Sequence, residues 1–525
     1  MLRTEISIAV GSDASPVDKA LKQYRINPQD VLSRKIVHRS LDARAGRPAV
    51  YVYQIDLEVK HEESYAQKLK NRVRVVQPYR YQAPVQGDEL LKHRPVIAGF
   101  GPAGMAAALY LALKGYRPIV LERGPAIDER KKAVSDYWKT GVLDPEKNVQ
   151  FGEGGAGAFS DGKLTTRIKD PRVSVILEQL IRAGADPSVA WMNHPHIGTE
   201  RLCDIDIRIR KTIESCGGEV RFNTCLKDIR ISGGKICEAV TETENIPCSV
   251  LILAVGHSAR DTFRMLDKNG IFMEPKAFAV GVRVEHLQEF INARQYRNIQ
   301  DYSCLPAAEY HLSHTSSLGR GVYSFCMCPG GYVVASASEK ETVVTNGMSY
   351  AARDGINANS AILVQTGKGD FGNDLFAGVR YQEKLERLAY QMGSGKAPAQ
   401  LISDYLYGTG NTLSQVKPTY SHGVQLCDLH GLFSSAVNQS LEEMFRHTED
   451  IFPGFTGGGA LMTGVETRSS SPVRISRNFD TWQTEVRGIY PVGEGAGYAG
   501  GIMSSAVDGM KAAEKIIGQY QPDYE

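Results

Sequence analysis

The period of apolar and polar positions changes several times along the chain. Residues 2–8 alternate as a half-buried strand does, and 16–24 carry the three-and-four spacing of an amphipathic helix. Two more alternating runs, 35–40 and 50–59, are joined by a loop at Ala45-Gly46-Arg47-Pro48. Together they predict a small β-α-β-β module over 1–75. The polar segment 60–89 reads as a linker with one short helix, and the boundary between module and linker is set so that the linker spans 76–92. From Pro95 the pattern changes. The apolar run Val96-Ile97-Ala98 enters a glycine-containing turn, an alanine-rich helical pattern runs from Met105 to about Lys114, Gly115 stops it, and a second apolar run ends on Glu122. Residues 125–147 read as mostly helical and polar. Residues 199–216 form an amphipathic helix with Leu202, Ile205, Ile209 and Ile213 on one face and Gly217-Gly218 as its stop.

Further on, 219–222 predict a third parallel strand, 226–250 a three-stranded meander turning at Ser232-Gly233-Gly234, and 250–256 an apolar strand. Strand patterns at 277–284, 321–328, 332–336 and 342–346, with helices near 380–392 and 435–446, predict an inserted α+β unit. A last strand at 488–494 and a helix to about 519 resume the strand-and-helix alternation that began at Pro95. The fold class read from this order is α/β: a discontinuous Rossmann-like domain (93–265 and 466–525), an inserted α+β domain (266–465) and the small front module.

Composition narrows the classes. At 525 residues, 42% hydrophobic and 23% charged, the chain is an ordinary globular one of two to four domains. No apolar run reaches the ~18–20 residues of a membrane span. Nine irregularly spaced cysteines do not suggest a disulfide framework, and the start lacks a secretory pattern, so a reducing cytoplasm is expected. The net charge of +2 is uneven: residues 1–94 hold 17 Lys/Arg against 11 Asp/Glu, the remainder 44 against 48. Arg34, Lys35, Arg39, Arg44 and Arg47 form either a patch for an acidic partner or a solvated face. Neither membrane nor bulk nucleic-acid binding is expected.

The chemistry gathers at Gly99-Phe100-Gly101-Pro102-Ala103-Gly104, set between strand and helix, with Glu122 eighteen residues past Gly104. This is a dinucleotide fingerprint. Gly99 allows the turn, Gly101 admits a pyrophosphate, Gly104 lets helix pack on strand, and Glu122 is placed to accept both hydroxyls of a ribose. The glycine-rich stretch 148–164 suits backbone lying flat on a ligand. The strand ending Ala254-Val255-Gly256 is a second signature of FAD type. In the third, Glu494 ends a strand, and a helix opened by Gly501 faces a flavin edge that becomes negative on reduction.

Three signatures in this order, around an insertion, resemble the FAD-dependent oxidoreductases of glutathione-reductase type. The chain is most similar to a bacterial group of FAD-dependent dehydrogenases without a settled substrate, through NVQFGEGGAGAFSDGKL, YSFCMCPGGYVV, VETRSSSPVRI and VGEGAGYAGGIMSSAVDG, after a front module containing HRSLDAR. The resemblance implies non-covalent FAD held by Gly99, Gly101, Gly104, Glu122, Leu226, Gly256, Glu494, Gly501, Ile502 and Met503. Ala103, Arg123, Gly155, Ser160, Lys163 and Gly493 complete the candidate contacts. Glu494 stands where wider flavoproteins usually carry Asp.

No C-x-x-C or C-x4-C motif and no second dinucleotide fingerprint occurs. NAD(P)H is therefore expected only as a transient donor at the flavin, or electrons come from another external donor. Cys326 and Cys328, alternating onto one side of a strand ~6.5–7 Å apart, are either small packers or a thiol acid near the flavin, with Cys328 the catalytic candidate. Glu466 and Arg468 either grip an acidic substrate or belong to an interdomain ion network. Lys163 sits near the flavin or a substrate carboxylate, or serves the pyrophosphate or the surface. His257, His311, His314 and His422 show no metal-ligand spacing, and no metal is expected. The activity expected is hydride transfer between FAD and a small, acidic organic substrate. The alternatives are a flavin monooxygenase and an FAD-stabilised RNA- or protein-binding factor using the basic front module.

Overall fold

The computed structural model describes residues 1–525 apart from 45–46, 78–80, 167, 298, 300–301, 409–414 and 525. The Ala45-Gly46 part of the first predicted loop and Thr409-Gly410 lie outside the described residues.

At the centre are five parallel strands in the order Ile489–Pro491, Leu251–Leu253, Val96–Ala98, Ile119–Leu121 and Glu219–Arg221. The first four are buried on both faces, which is why they read as continuous apolar runs. The helices Pro102–Leu113 and Ile502–Gln519 pack together on one face. An added Cβ at Gly509 would lie 2.0 Å from the Ala103 carbonyl oxygen, so this crossing demands glycine. The meander forms as expected, Asp228–Ser232, Lys235–Val240 and Asn245–Pro247. Its turn places both Gly233 (φ 57°) and Gly234 (φ 73°) in the left-handed region, as a type I′ hairpin requires.

The chain leaves this sheet and returns to it along two strands paired with each other, Met273–Pro275 and Val473–Ile475. Between them stands a seven-stranded sheet in the order Ser313–Thr315, Gly321–Cys328, Asn357–Thr366, Phe278–Leu287, Leu461–Glu466, Ala397–Leu401 and Val424–Leu426. Helices Ala377–Met392 and Ser435–Ile451 lie where the pattern predicts them. The strand expected at 342–346 falls instead at Thr345–Met348. The core strand Asn357–Thr366 was not legible: it is buried on both faces apart from Gln365, so alternation is lost.

In the front module the strands Val31–Asp42, Val50–Val59, Leu2–Ala9 and Arg74–Val75 form one antiparallel sheet, with helix Pro16–Tyr24 against it. The short helix Glu62–Leu69 belongs to this module and not to the linker. Within the linker, Tyr81 and residues 89–91 dock on the main fold. Tyr81 Oη is hydrogen-bonded to Tyr110 Oη at 2.6 Å and donates to Glu514, and Glu89–Leu91 pairs in parallel with Tyr520–Pro522. Arg39 is no solvated patch residue. Its N–H donates to the Trp191 carbonyl at 2.7 Å and its guanidinium lies 5.0 Å from the Trp191 ring centre.

Because the module has its own core of Leu2, Ile6, Leu21, Ile55 and Leu57, a chain beginning at Tyr81 is expected to keep a cooperative thermal transition, read by circular dichroism. An insoluble or non-cooperative product would show that the module completes the main fold.

Candidate functional site

The carboxyl ends of the parallel strands open onto a cleft with about 1650 Å3 of atom-free space, counting the part open to solvent. The position follows from topology, since parallel strands feed their connections to that edge. Gly99, Gly101, Ala103, Glu122 and Arg123 line it, as do Leu226, Gly256, Glu494, Gly501 and Ile502. Gly155, Ser160 and Lys163 bring the glycine-rich stretch onto the wall, and Cys326, Glu466 and Arg468 bring in the inserted unit.

Four sequence candidates stand elsewhere. Gly104 lies behind the turn, where an added Cβ would be 1.9 Å from the Gly99 carbonyl oxygen. This is its expected packing role. Gly493 donates its N–H to Asp508 at 2.8 Å and packs on Ala103. The Met503 side chain, 1% exposed, belongs to the core. Cys328 is fully buried and does not line the cleft. The expected alternation fails because the strand bulges between Phe325 and Cys328, with Cys326 at φ 45°. That left-handed backbone at a non-glycine residue costs about 1–3 kcal/mol. It turns Cys326, not Cys328, to the cleft.

The charged candidates are mostly paired. Glu122 accepts from the N–H groups of Phe100 (2.7 Å), Gly124 (2.9 Å) and Gly152 (2.8 Å). A carboxylate offers about four acceptor positions, so one ribose hydroxyl, not the two expected, fits what remains. Arg123 is bidentate to both Glu146 and Asp261. Glu466 takes two hydrogen bonds from the fully buried Arg283, at 2.7 and 2.6 Å. Arg468 donates to Glu386 at 3.1 and 3.0 Å and to Ser258 and Ser338, which leaves at most one of its five N–H groups for a ligand. Burial alone would raise the Glu386 carboxyl; Arg260 and Arg468 outweigh it and hold it at about 2. The interdomain network is therefore the arrangement present. Glu386 was missed because a glutamate on a helix reads as solvated.

Lys163 is the least committed cation on the wall. Its Nζ reaches Glu309 at 3.3 Å, with two further N–H donors. Glu309 also meets His194 at 3.1 Å, and with His311 these groups offer atoms within 4.8 Å of one another, a cluster that sequence spacing concealed. Burial pushes the Glu494 carboxyl up to about 8, with Lys276 pulling against it.

The cleft fits FAD. An added Cβ at Gly101 would meet only Gly155 Cα at 3.6 Å, and one at Gly256 nothing within 4 Å, so both glycines keep backbone open to a ligand. Two helix N-termini, at Pro102 and Ile502, line it and offer N–H groups to anionic oxygens. Among the described residues there is one parallel five-stranded sheet and no second of its kind. No helix among them is long and apolar enough to cross a membrane.

The family described as "FAD-dependent protein, C-terminal domain-like" matches residues 277–469, the inserted unit. A Clostridium beijerinckii protein described as uncharacterized is 44% identical over 522 residues, covering 98% of each chain. Among solved structures, Lactococcus lactis thioredoxin reductase aligns at 18% identity and a TM-score of 0.18, over 31% of this chain and 36% of its own. The chain thus spans about a third of that structure's length. A geranylgeranyl bacteriochlorophyll reductase-like protein from Thermoplasma acidophilum aligns at 13% identity and a TM-score of 0.35, over 82% of this chain and 79% of its own.

The two glycines separate binding from folding. Gly101→Val is expected to unfold at the wild-type temperature and to lack flavin, because its side chain enters open cleft. Gly104→Ala is expected to lose about 1–3 kcal/mol or more of stability through overpacking. Thermal unfolding and flavin absorbance measure both, and a fully yellow Gly101→Val protein would move the ligand elsewhere.

Proposed function

The chain belongs to the family of FAD-dependent proteins that share this C-terminal domain, and from that premise we propose that it is an FAD-dependent oxidoreductase transferring a hydride between the cofactor and a small, acidic organic substrate. The observation that carries this reading is the shared wall: one cleft is lined by all three nucleotide signatures and by side chains of the inserted unit. We take the parallel sheet, with its inserted second sheet, as the glutathione-reductase-type flavin domain. Its strand order and its two glycine-opened helices support that reading.

Bound FAD would supply two-electron chemistry at its ring. The chain's own groups bind and orient. Gly99 to Ala103 and Gly155 offer backbone to a pyrophosphate, and Glu122 keeps an acceptor position for a ribose hydroxyl. The N-terminus of Ile502–Gln519 favours negative charge held beside Gly501. Glu494, with its carboxyl near 8, carries a proton at neutral pH and can donate it in a hydrogen bond. Lys163 suits a substrate carboxylate better than Arg468, whose guanidinium Glu386 already holds.

The test is anaerobic loss of the visible flavin band on mixing the holo-protein with amino acids, 2-hydroxy acids and their amides. An acid is expected to reduce the flavin and its amide to do so poorly. Replacing Lys163 by Met removes a charged hydrogen bond worth about 1.5–3 kcal/mol, which is roughly a 10- to 150-fold rise in the half-saturating acid concentration, at unchanged flavin content. Equal rates for acid and amide, with a silent Lys163→Met, would overturn the assignment.

A further inference from the structure

Two sulfurs, one on the cleft wall and one buried behind it, have no part in binding a nucleotide or a carboxylate. The strand Gly321–Cys328 pairs with Asn357–Thr366 as far as Phe325 opposite Ala361, then resumes at Cys328 opposite Asn359. Cys326 and Met327 therefore face a single residue of the partner strand, and Cys326 takes the left-handed φ of 45°. In a regular strand, cysteines two apart sit at ~6.5–7 Å between Cα atoms, the far edge of disulfide geometry. The bulge curls this segment. The Cys328 thiol comes within hydrogen-bond reach of the Cys326 carbonyl oxygen, at 3.3 Å. Arg283 anchors the curl by donating to the same carbonyl at 3.2 Å.

The two sulfurs are not equivalent. Cys326 lines the cleft, as Glu494 and Lys163 do, and both act on it electrostatically, while Cys328 is fully buried and does not line it. We propose that Cys326 and Cys328 form a dithiol–disulfide pair that exchanges two electrons with the bound flavin, with Cys326 the sulfur that faces the cofactor and incoming thiol reagents, and Cys328 the resolving one.

The electrostatics agree with that division. The neighbouring Cys328 thiol, with Arg283 and Lys163 in support, lowers Cys326 against burial and Asp161. The neighbouring Cys326, with burial, raises Cys328. The two shifts run in opposite directions and favour a thiolate at Cys326 with a thiol at Cys328, the combination thiol–disulfide exchange needs. On oxidation the Cys326–Cys328 bond forms, the Cys328 S–H bond breaks, and two electrons and that proton pass to oxidised FAD, giving the anionic reduced form. In reverse, the two electrons and the proton return, the S–S bond breaks, and thiolate and thiol are restored. With a small disulfide as acceptor, the Cys326 thiolate forms a mixed disulfide and expels one thiolate. Cys328 then gives its proton to the expelled thiolate, attacks the Cys326 sulfur and expels the second thiolate.

The pair's exchange with flavin rests on the FAD reading above, and the experiment separates the two. The full-length holo-protein is titrated anaerobically with dithionite after mild oxidation with diamide. Four electrons per flavin are expected, two for the ring and two for the sulfurs, and two only in Cys326→Ser and Cys328→Ala. Of the nine cysteines, all should titrate as thiols in the reduced, denatured protein and seven after oxidation. The tryptic peptide 321–340 of the oxidised protein should be two hydrogens lighter. This wild-type measurement holds even if a variant fails to fold. Yellow protein that takes up two electrons and keeps the peptide as a dithiol overturns the pair alone. Colourless folded protein overturns the flavin reading, and with it the exchange.

Discussion

A single buried carboxylate holds the nucleotide edge together. Glu122 ends its strand inside the fold and receives N–H groups from three places: the glycine turn at Phe100, its own strand end at Gly124, and the glycine-rich stretch at Gly152. Fully buried Arg130 does the complementary work, donating to the carbonyls of Asn148, Val149, Gly152 and Glu153. Backbone so rich in glycine has much conformational freedom to lose. Hydrogen bonds to charged groups, worth about 1.5–3 kcal/mol each, oppose that loss. The cleft wall is thus pre-arranged by charge on its inner side, and its outer side is left as bare backbone for a ligand.

The inserted unit is fixed above the cleft by different means. Its two connections run as paired strands, and behind them lie two ion systems, Arg283 with Glu466 and Glu386 between Arg260 and Arg468. Buried ion pairs add little net stability once desolvation is counted, but losing one partner leaves an uncompensated charge. Their use here is positional. They join residues 82 to 183 positions apart into one wall, and they turn the apparent substrate grip, Glu466 and Arg468, into framework.

The nucleotide half was legible because its signals are local. A strand, a glycine turn and a helix within thirty residues announce themselves, as do the meander turn at Gly233-Gly234 and the acid at the end of a short strand. Residues that depend on long-range contacts were not. Arg283, Glu386 and Asp161 read as ordinary charges until the fold buries them against partners. The Cys326–Cys328 spacing was read on strict alternation, and a bulge, invisible in the pattern, exchanged which sulfur faces the cleft. Asn357–Thr366 escaped notice because a strand covered on both faces has no period of two. The linker misled because its polar composition hid Tyr81 and the short strand that straps it down.

That this cleft holds intact FAD is tested most directly by acid release of the cofactor from the purified full-length protein, followed by chromatographic identification and quantitation. FAD is expected, in about one equivalent per chain and none left covalently attached. FMN, or a well-folded protein carrying no flavin and taking none up when FAD is added, would contradict it.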